Sequence, residues 1–171
     1  AEGYRREVGT VGERTGGRPG TRRREAVRAR GHEHVSAAHT STFEVTTDDW
    51  LTPAGDCILA VDADRVPADF DAAFVDACRD PTATIRATFT ATTDDGTTIT
   101  DTIVGRGHPE LSFEGERSHV GRTSAHVDDR TVLVGADGAA ADIDRALIDA
   151  LAAGADLRFE LSVDPGAENT P

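Results

Sequence analysis

Apolar and polar residues alternate most regularly from Thr82 to Thr92, where Ala83, Ile85, Ala87, Phe89 and Ala91 are interleaved with threonines and Arg86. A period of two predicts a strand with one buried face, and threonine is favoured on such a pleated surface. Asp94-Asp95-Gly96 is a hairpin turn signal, so a return strand is expected through Ile99 and Ile103. Shorter stretches read the same way. Ala26 to Arg30 is a strand candidate, and Phe43 and Val45 alternate with Thr42, Glu44 and Thr46. Further strands are expected at Ser118 to Val127 and Thr131 to Val134, and Leu157, Phe159, Leu161 and Val163 mark the last. Thr52-Pro53-Ala54-Gly55 is a turn. Cys57 to Val61 is a continuous apolar run, as expected of a strand buried on both faces.

Two stretches change period. Phe70, Ala73, Phe74, Ala77 and Cys78 recur at three- and four-residue spacing, predicting a helix that Pro67 opens and Pro81 prevents from continuing beyond Arg79. Ile143, Ala146, Leu147, Ala150 and Leu151 predict a second helix from about Gly138 to Ala153, with Asp137 as candidate N-cap and Gly154 as stop. Strands do not alternate with helices, so a parallel α/β sheet is disfavoured. The pattern predicts a mainly β (α+β) fold, an antiparallel β-sandwich of jelly-roll-like form with two peripheral helices.

Composition changes the picture at the N-terminus. Through Arg30 there are nine arginines and four glutamates, for +5; the remaining 141 residues carry nine arginines and 27 acids, for −18, giving the net −13. Residues 1–25 are rich in Arg and Gly without an apolar period, so a disordered extension is expected there. A single β-rich domain at 26–164 and a flexible tail at 165–171 should follow. The chain contains no methionine, so its first residue is not a retained initiator, and the arm is expected to be inert.

Every base is arginine; there is no lysine. Such an acidic surface repels itself at low ionic strength, whereas molar salt shortens the Debye length to about 3 Å and removes most of that repulsion. The composition therefore points to a halophilic archaeal protein of the cytoplasm. Phosphate-driven binding weakens steeply with salt, so the arginine arm is not expected to hold nucleic acid. No apolar run is long enough to cross a membrane, and the start lacks the apolar segment of a secretory signal. Cys57 and Cys78 are too few for a disulfide framework and would stay reduced in a cytoplasm.

Candidate chemistry concentrates between Gly31 and Asp64, which holds His32, His34, His39, Cys57 and the only tryptophan, Trp50. On a strand, His32 and His34 would share a face. With His39 or His108 as a third nitrogen and Glu44 or Asp56 as an oxygen, they would form an N/O site for a divalent metal such as zinc, manganese or iron. Surface or hydrogen-bonded histidines are the simpler reading, since no spacing here is diagnostic. Cys57 follows Asp56, and a thiol among histidines is a candidate nucleophile. A neighbouring carboxylate raises a thiol pKa, however, so Cys57 is expected to be core.

Gly105-Arg106-Gly107-His108-Pro109 offers donors for an anion on a loop where glycine permits close approach. It repeats the Arg-Gly-His of Arg30-Gly31-His32, a repeat short enough to be chance. Arg122-Thr123-Ser124-Ala125-His126 sets guanidinium, hydroxyl and imidazole along one strand face, which suits an anion or phosphate. No Walker loop, dinucleotide fingerprint, CxxC pair or nucleophile elbow occurs.

Gly31-His32, His39, Thr42-x-Glu44-x-Thr46, Leu51-Thr52, Gly55-Asp56-Cys57-Ile58 and Ala63-Asp64 resemble an archaeal family, domain of unknown function 371. Gly107-His108-Pro109, Arg122-x-Ser124, Asp129-Arg130-Thr131 and Ala136-Asp137 resemble its second half, so the likeness runs from about Val27 to Val163. The resemblance implies a mainly-β sandwich of jelly-roll type, with no assigned activity. It also implies asparagine where His34 stands and lysine at positions 65 and 138, where this chain has Arg65 and Gly138. The first departure weakens a metal site that needs His34, and Gly138 leaves no catalytic lysine there.

The function expected is a pocket for a small anionic molecule, lined by His32, His39, Asp56, His108, Arg122 and Ser124. Glu44, Asp56 and Cys57 are the candidates for chemistry. Two alternatives stay open: a metal-dependent enzyme using His32, His39 and Glu44, and a non-catalytic scaffold or interaction protein whose polar residues staple long loops. Neither a membrane nor nucleic acid is an expected partner.

Overall fold

The computed structural model describes residues 21–166. The chain runs β1 (Arg23–Arg30), β2 (Thr42–Thr46), β3 (Ile58–Ala60), α1 (Ala72–Cys78), β4 (Thr84–Thr92), β5 (Thr98–Arg106), β6 (Ser118–Arg122), β7 (Thr131–Leu133), α2 (Arg145–Ala152) and β8 (Asp156–Asp164). A turn of 3-10 helix, at Pro67–Asp69 and Ala140–Asp142, precedes each α-helix. No helix among the described residues is long and apolar enough to cross a membrane.

The strands form two sheets and the fold is mainly β, as the alternation predicts. The first has the order β1-β8-β4-β5 and is antiparallel throughout. The second has the order β3-β2-β6-β7 and is antiparallel only between β2 and β6. Its outer pairs, β2 with β3 and β6 with β7, are parallel, so this sheet is mixed rather than purely antiparallel. The reason is the connections, since each parallel pair is joined by a crossover loop rather than a tight turn.

Inward-facing side chains hold the sheets together. Phe43 of β2 meets Phe89 of β4 edge-on, with ring centroids 5.1 Å apart, and Phe159 of β8 at 6.1 Å. Phe89 and Phe159, register partners on neighbouring strands, stack at 5.4 Å. At the sandwich corners, single bridges join Arg30 to Val61 and Arg106 to Val134. Helix α1 packs on β1 and β8, and α2 on β3, β4 and β5.

Element boundaries differ from the pattern where distant partners decide them. β1 starts at Arg23, inside the stretch expected to be disordered, because Glu25 is held by Arg65 Nη1 and by the Asp71 backbone N–H, both at 2.7 Å. The rest of that expectation, residues 1–20, lies outside the described residues, as do residues 167–171 of the tail. Both helices start later than predicted, at side-chain caps on Asp71 and Asp144, which accept from the N–H groups of Ala73 and Ala146. Asp137 is therefore not the cap of α2; its carboxylate accepts from Val104 N–H on β5. The strand expected through Val127 ends at Arg122.

The order of elements repeats: β1-β2-β3-α1-β4 is followed by β5-β6-β7-α2-β8. The details repeat too. Asp64 bonds the Arg28 N–H as Asp137 bonds that of Val104. Glu25 receives the N–H of Asp71 as Asp101 receives that of Asp144. Asp62 and Gly135 occupy the same left-handed conformation, φ 58° and 59°. An approximate two-fold axis thus passes through the sandwich, between the paired residues Glu44 and Val120 on one sheet and Thr88 and Glu160 on the other.

Candidate functional site

The repeat separates residues that the sequence suggested as one pocket. Gly31 sits against the Leu151 carbonyl at the end of α2, and Gly107 against the Cys78 carbonyl at the end of α1; a Cβ at either would strike backbone. His32 and His108 follow these glycines, and each ring Nδ1 accepts a hydrogen bond at 3.0 Å from the N–H two residues on, His34 and Glu110 respectively. The Arg-Gly-His repeat is therefore not chance but the same corner built twice. Its two histidines lie behind different helices and do not line a common pocket. An open cleft of about 320 Å³ beside His32 is bounded by Arg30, Glu33 and Gly154.

A different group does converge, on the outer face of the second sheet. Alternation turns Phe43 and Val45 inward and leaves Thr42 and Glu44 on the outside, half-buried. The parallel pairing of β3 sets Cys57 beside Glu44: its backbone carbonyl accepts the Glu44 N–H at 2.9 Å, and its Sγ lies 3.4 Å from Oε1. The Thr42 hydroxyl lies close enough to the same sulfur to work against the rise in its pKa. His39 Nδ1 accepts from the Ser41 and Thr42 N–H groups at 3.2 Å and lies 3.3 Å from Thr42 Oγ1. The Asp56 backbone carbonyl accepts from His39 N–H, which places Asp56 at the same end. Two polar pairs, His39 with Thr42 and Cys57 with Glu44, thus lie side by side.

Strand β6 brings the second half. Arg122 is the register partner of Thr42, and its guanidinium reaches Thr131 Oγ1 at 2.9 Å and Asp128 at 2.8 Å. Arg130 reaches the same Asp128 oxygen at 3.1 Å. Burial works against ionising Asp128, but the Arg130 hydrogen bonds and the two guanidinium charges outweigh it and hold its carboxyl well below the usual range. Glu44 acts electrostatically on Arg130, which puts the two charged groups within range of one another. Ser124 lies past the end of β6 in a loop, where its hydroxyl accepts from His126 N–H, so residues 122–126 are not one strand face.

The chemistry of this group is bounded by its thiol. Burial first, and then the Glu44 carboxylate, push the Cys57 thiol up to about 11. A nucleophilic cysteine needs the opposite shift, so Cys57 is a neutral donor here. His32 and His34 approach each other, with ring centroids 5.2 Å apart, but His39 is held in its own turn. Among the described residues, no three His, Cys, Asp or Glu side chains are placed to share a metal ion.

Sequence reasoning missed Thr42, Asp128 and Arg130 as members of the group. The visible signal was Asp128-x-Arg130-Thr131, the spacing of a turn in which an aspartate bonds the N–H two residues on. It missed His119 as well. That ring is fully buried, donates from Nε2 to the Arg65 carbonyl at 2.8 Å, and has no partner at Nδ1 among the described residues.

Comparison with known proteins agrees with these quoted motifs. An uncharacterised protein of Methanocaldococcus jannaschii is 36% identical over 137 residues, which is 80% of this chain and 97% of that protein. A family model described as a domain of unknown function, DUF371, matches residues 27–164, all but the arm and the tail. The chain belongs to the DUF371 family.

Proposed function

We propose that the chain binds a small polar metabolite with an anionic group on the outer face of the second sheet, around His39, Glu44, Cys57, Arg122 and Arg130. The observation that carries this reading is the convergence of Arg122 and Arg130 on the single carboxylate of Asp128. Two guanidiniums meet at one carboxylate and make a donor end, with Asp129 and Glu44 also acting on Arg130. Glu44, whose carboxylate is partnered among the described residues by a thiol, a weak donor, makes an acceptor end. A hydroxy- or amino-carboxylate, or a phosphorylated small molecule with a hydroxyl, matches both ends: the anion at the arginines and the donor at Glu44. Binding without chemistry suits the raised Cys57 pKa. The lysine-free, acidic composition supports a cytoplasm of high ionic strength as its setting.

The test is thermal unfolding in the presence of millimolar phosphate, citrate or glutamate, for the wild-type chain, Glu44→Gln and Arg122→Ala. At least one compound should raise the wild-type Tm by several degrees, and that rise should vanish in both folded variants. A scaffold reading has its own support, because the Nδ1 atoms of His32, His39 and His108 all brace backbone turns. It gains the ground if no compound shifts Tm, or if both variants lower Tm while leaving a shift intact.

A further inference from the structure

The outer face of the first sheet has a charge unlike the rest of the molecule. Alternation sends Val27, Ala29, Ile85, Phe89, Leu157 and Phe159 inward. Six exposed arginines, Arg24, Arg28, Arg30, Arg86, Arg106 and Arg158, fall on the opposite face, interleaved with threonines of β4 and β5. The acids on that face are Asp156, Glu160 and Asp164. Its four strands thus present +3 on this face, reduced to +2 when Asp62, the partner of Arg30 at the corner, is included, while the described residues as a whole carry 14 arginines and 27 acids, for −13. Two arginine pairs obey the two-fold axis: Arg86 with Arg158, flanking the Thr88–Glu160 pair, and Arg30 with Arg106, the residues of the two corner bridges. An open cleft of about 430 Å³ lies between Arg28, Thr92 and Arg158.

We infer that this face binds the sugar-phosphate backbone of a nucleic-acid duplex, without reading bases. It presents guanidiniums and hydroxyls and no aromatic side chain, so it has donors for phosphates but nothing on which to stack a base. It also lacks the apolar centre of a protein interface. A second copy of the chain fits poorly: face to face it repels itself, and face to acidic back it makes an open, non-closing contact. A duplex has antiparallel backbones related by local two-fold axes, which is the symmetry of the Arg86/Arg158 and Arg30/Arg106 pairs. From sheet spacings, Arg86 and Arg158 stand about 14 Å apart at the backbone, comparable with a groove about 12 Å wide. The pairs Arg158–Glu160 at 3.5 Å and Arg86–Asp164 at 3.8 Å are long and weak, so they yield to phosphate, whereas Arg30 is held by Asp62 at 2.5 Å. The weakening with salt that counts against the arginine arm applies to this face equally, so the duplex is bound at low ionic strength and released in molar salt.

The experiment is fluorescence anisotropy of labelled, mixed-sequence RNA and DNA duplexes with the full chain as salt is varied. Two further proteins are needed, one with Arg28→Ala, Arg86→Ala and Arg158→Ala, the other with Arg5, Arg6, Arg14 and Arg18 changed to serine. With about four phosphates neutralised, Kd should rise about a hundredfold between about 50 and 200 mM salt. The sheet triple variant, folded by circular dichroism, should weaken binding at least tenfold and cut the salt slope by about three, while the arm variant keeps the slope's larger part. RNA and DNA arms identify the preferred duplex. The proposal fails if no saturable binding occurs at low salt, or if the sheet variant binds like wild type. Displacement by polyglutamate at equal charge would reassign the face to an acidic protein.

Discussion

His119 stands where the first half of the chain places Phe43, and it keeps the core position with a polar ring. Burial drives its pKa from 6.5 down to about 4, with the nearby Arg65 charge adding to the effect; the Arg65 carbonyl and the more distant Asp64 and Asp69 oppose it. Between those values the unfolded chain takes up a proton that the folded chain refuses. Stability from this residue is therefore complete above 6.5, falls as the pH drops toward 4 and levels off below, a loss of about 3 kcal/mol. Urea titrations of wild type and His119→Phe across this window should diverge by that amount, the variant lacking the step. Parallel curves would mean that the folded ring protonates normally. Cys57 gives a second residue-level prediction. With its thiol at about 11, about one molecule in a thousand carries the thiolate at pH 8. Iodoacetamide should label it slowly, and Glu44→Gln should raise the rate severalfold; an unchanged rate would leave burial, with Asp56, as the cause.

Element by element, what the sequence revealed depended on how far away the deciding partner lay. Strand β4 was legible to its end because alternation is local, and Gly154, at φ 95°, was correctly the stop of α2. The helix starts were not, because Pro67 and Gly138 belong to the turns that precede the helices, while Asp71 and Asp144 do the capping. Asp71→Ala and Asp144→Ala should each cost about 1 kcal/mol in urea unfolding, and similar amounts, since the two caps are equivalent. The candidate group divides the same way. His39, Glu44 and Cys57 were visible because they crowd one segment, whereas Asp128 and Arg130 reach them only through the β2–β6 register. His32 and His108 looked like partners because their sequences match, yet the match marks equivalent corners rather than a shared place.

At the scale of the molecule, the halves are interchangeable in order. Thr92 and Thr98 are joined by Thr93-Asp94-Asp95-Gly96-Thr97, and Asp164 stands to Arg22 as Thr92 stands to Thr98. A circular permutant that starts at Thr98, ends at Thr92 and joins Asp164 to Arg22 with a copy of those five residues should fold. Cooperative unfolding with unchanged near-ultraviolet circular dichroism would establish this; a molten permutant would mean that the halves must emerge in their natural order. The repeat escaped notice in the sequence because identical residues are few between the halves: what recurs is which backbone groups each aspartate satisfies.

The pairing of β1 with β8 has a mechanical consequence. Arg23 lies opposite Val163, and the strands run antiparallel from there. A load applied at those two points opens the ladder like a zipper, one hydrogen bond after another. A load applied along the strands instead would have to shear all of them together. The sandwich is thus soft toward tension at its seam, where an unfoldase or a translocation pore would grip, even though it is stapled at both corners elsewhere.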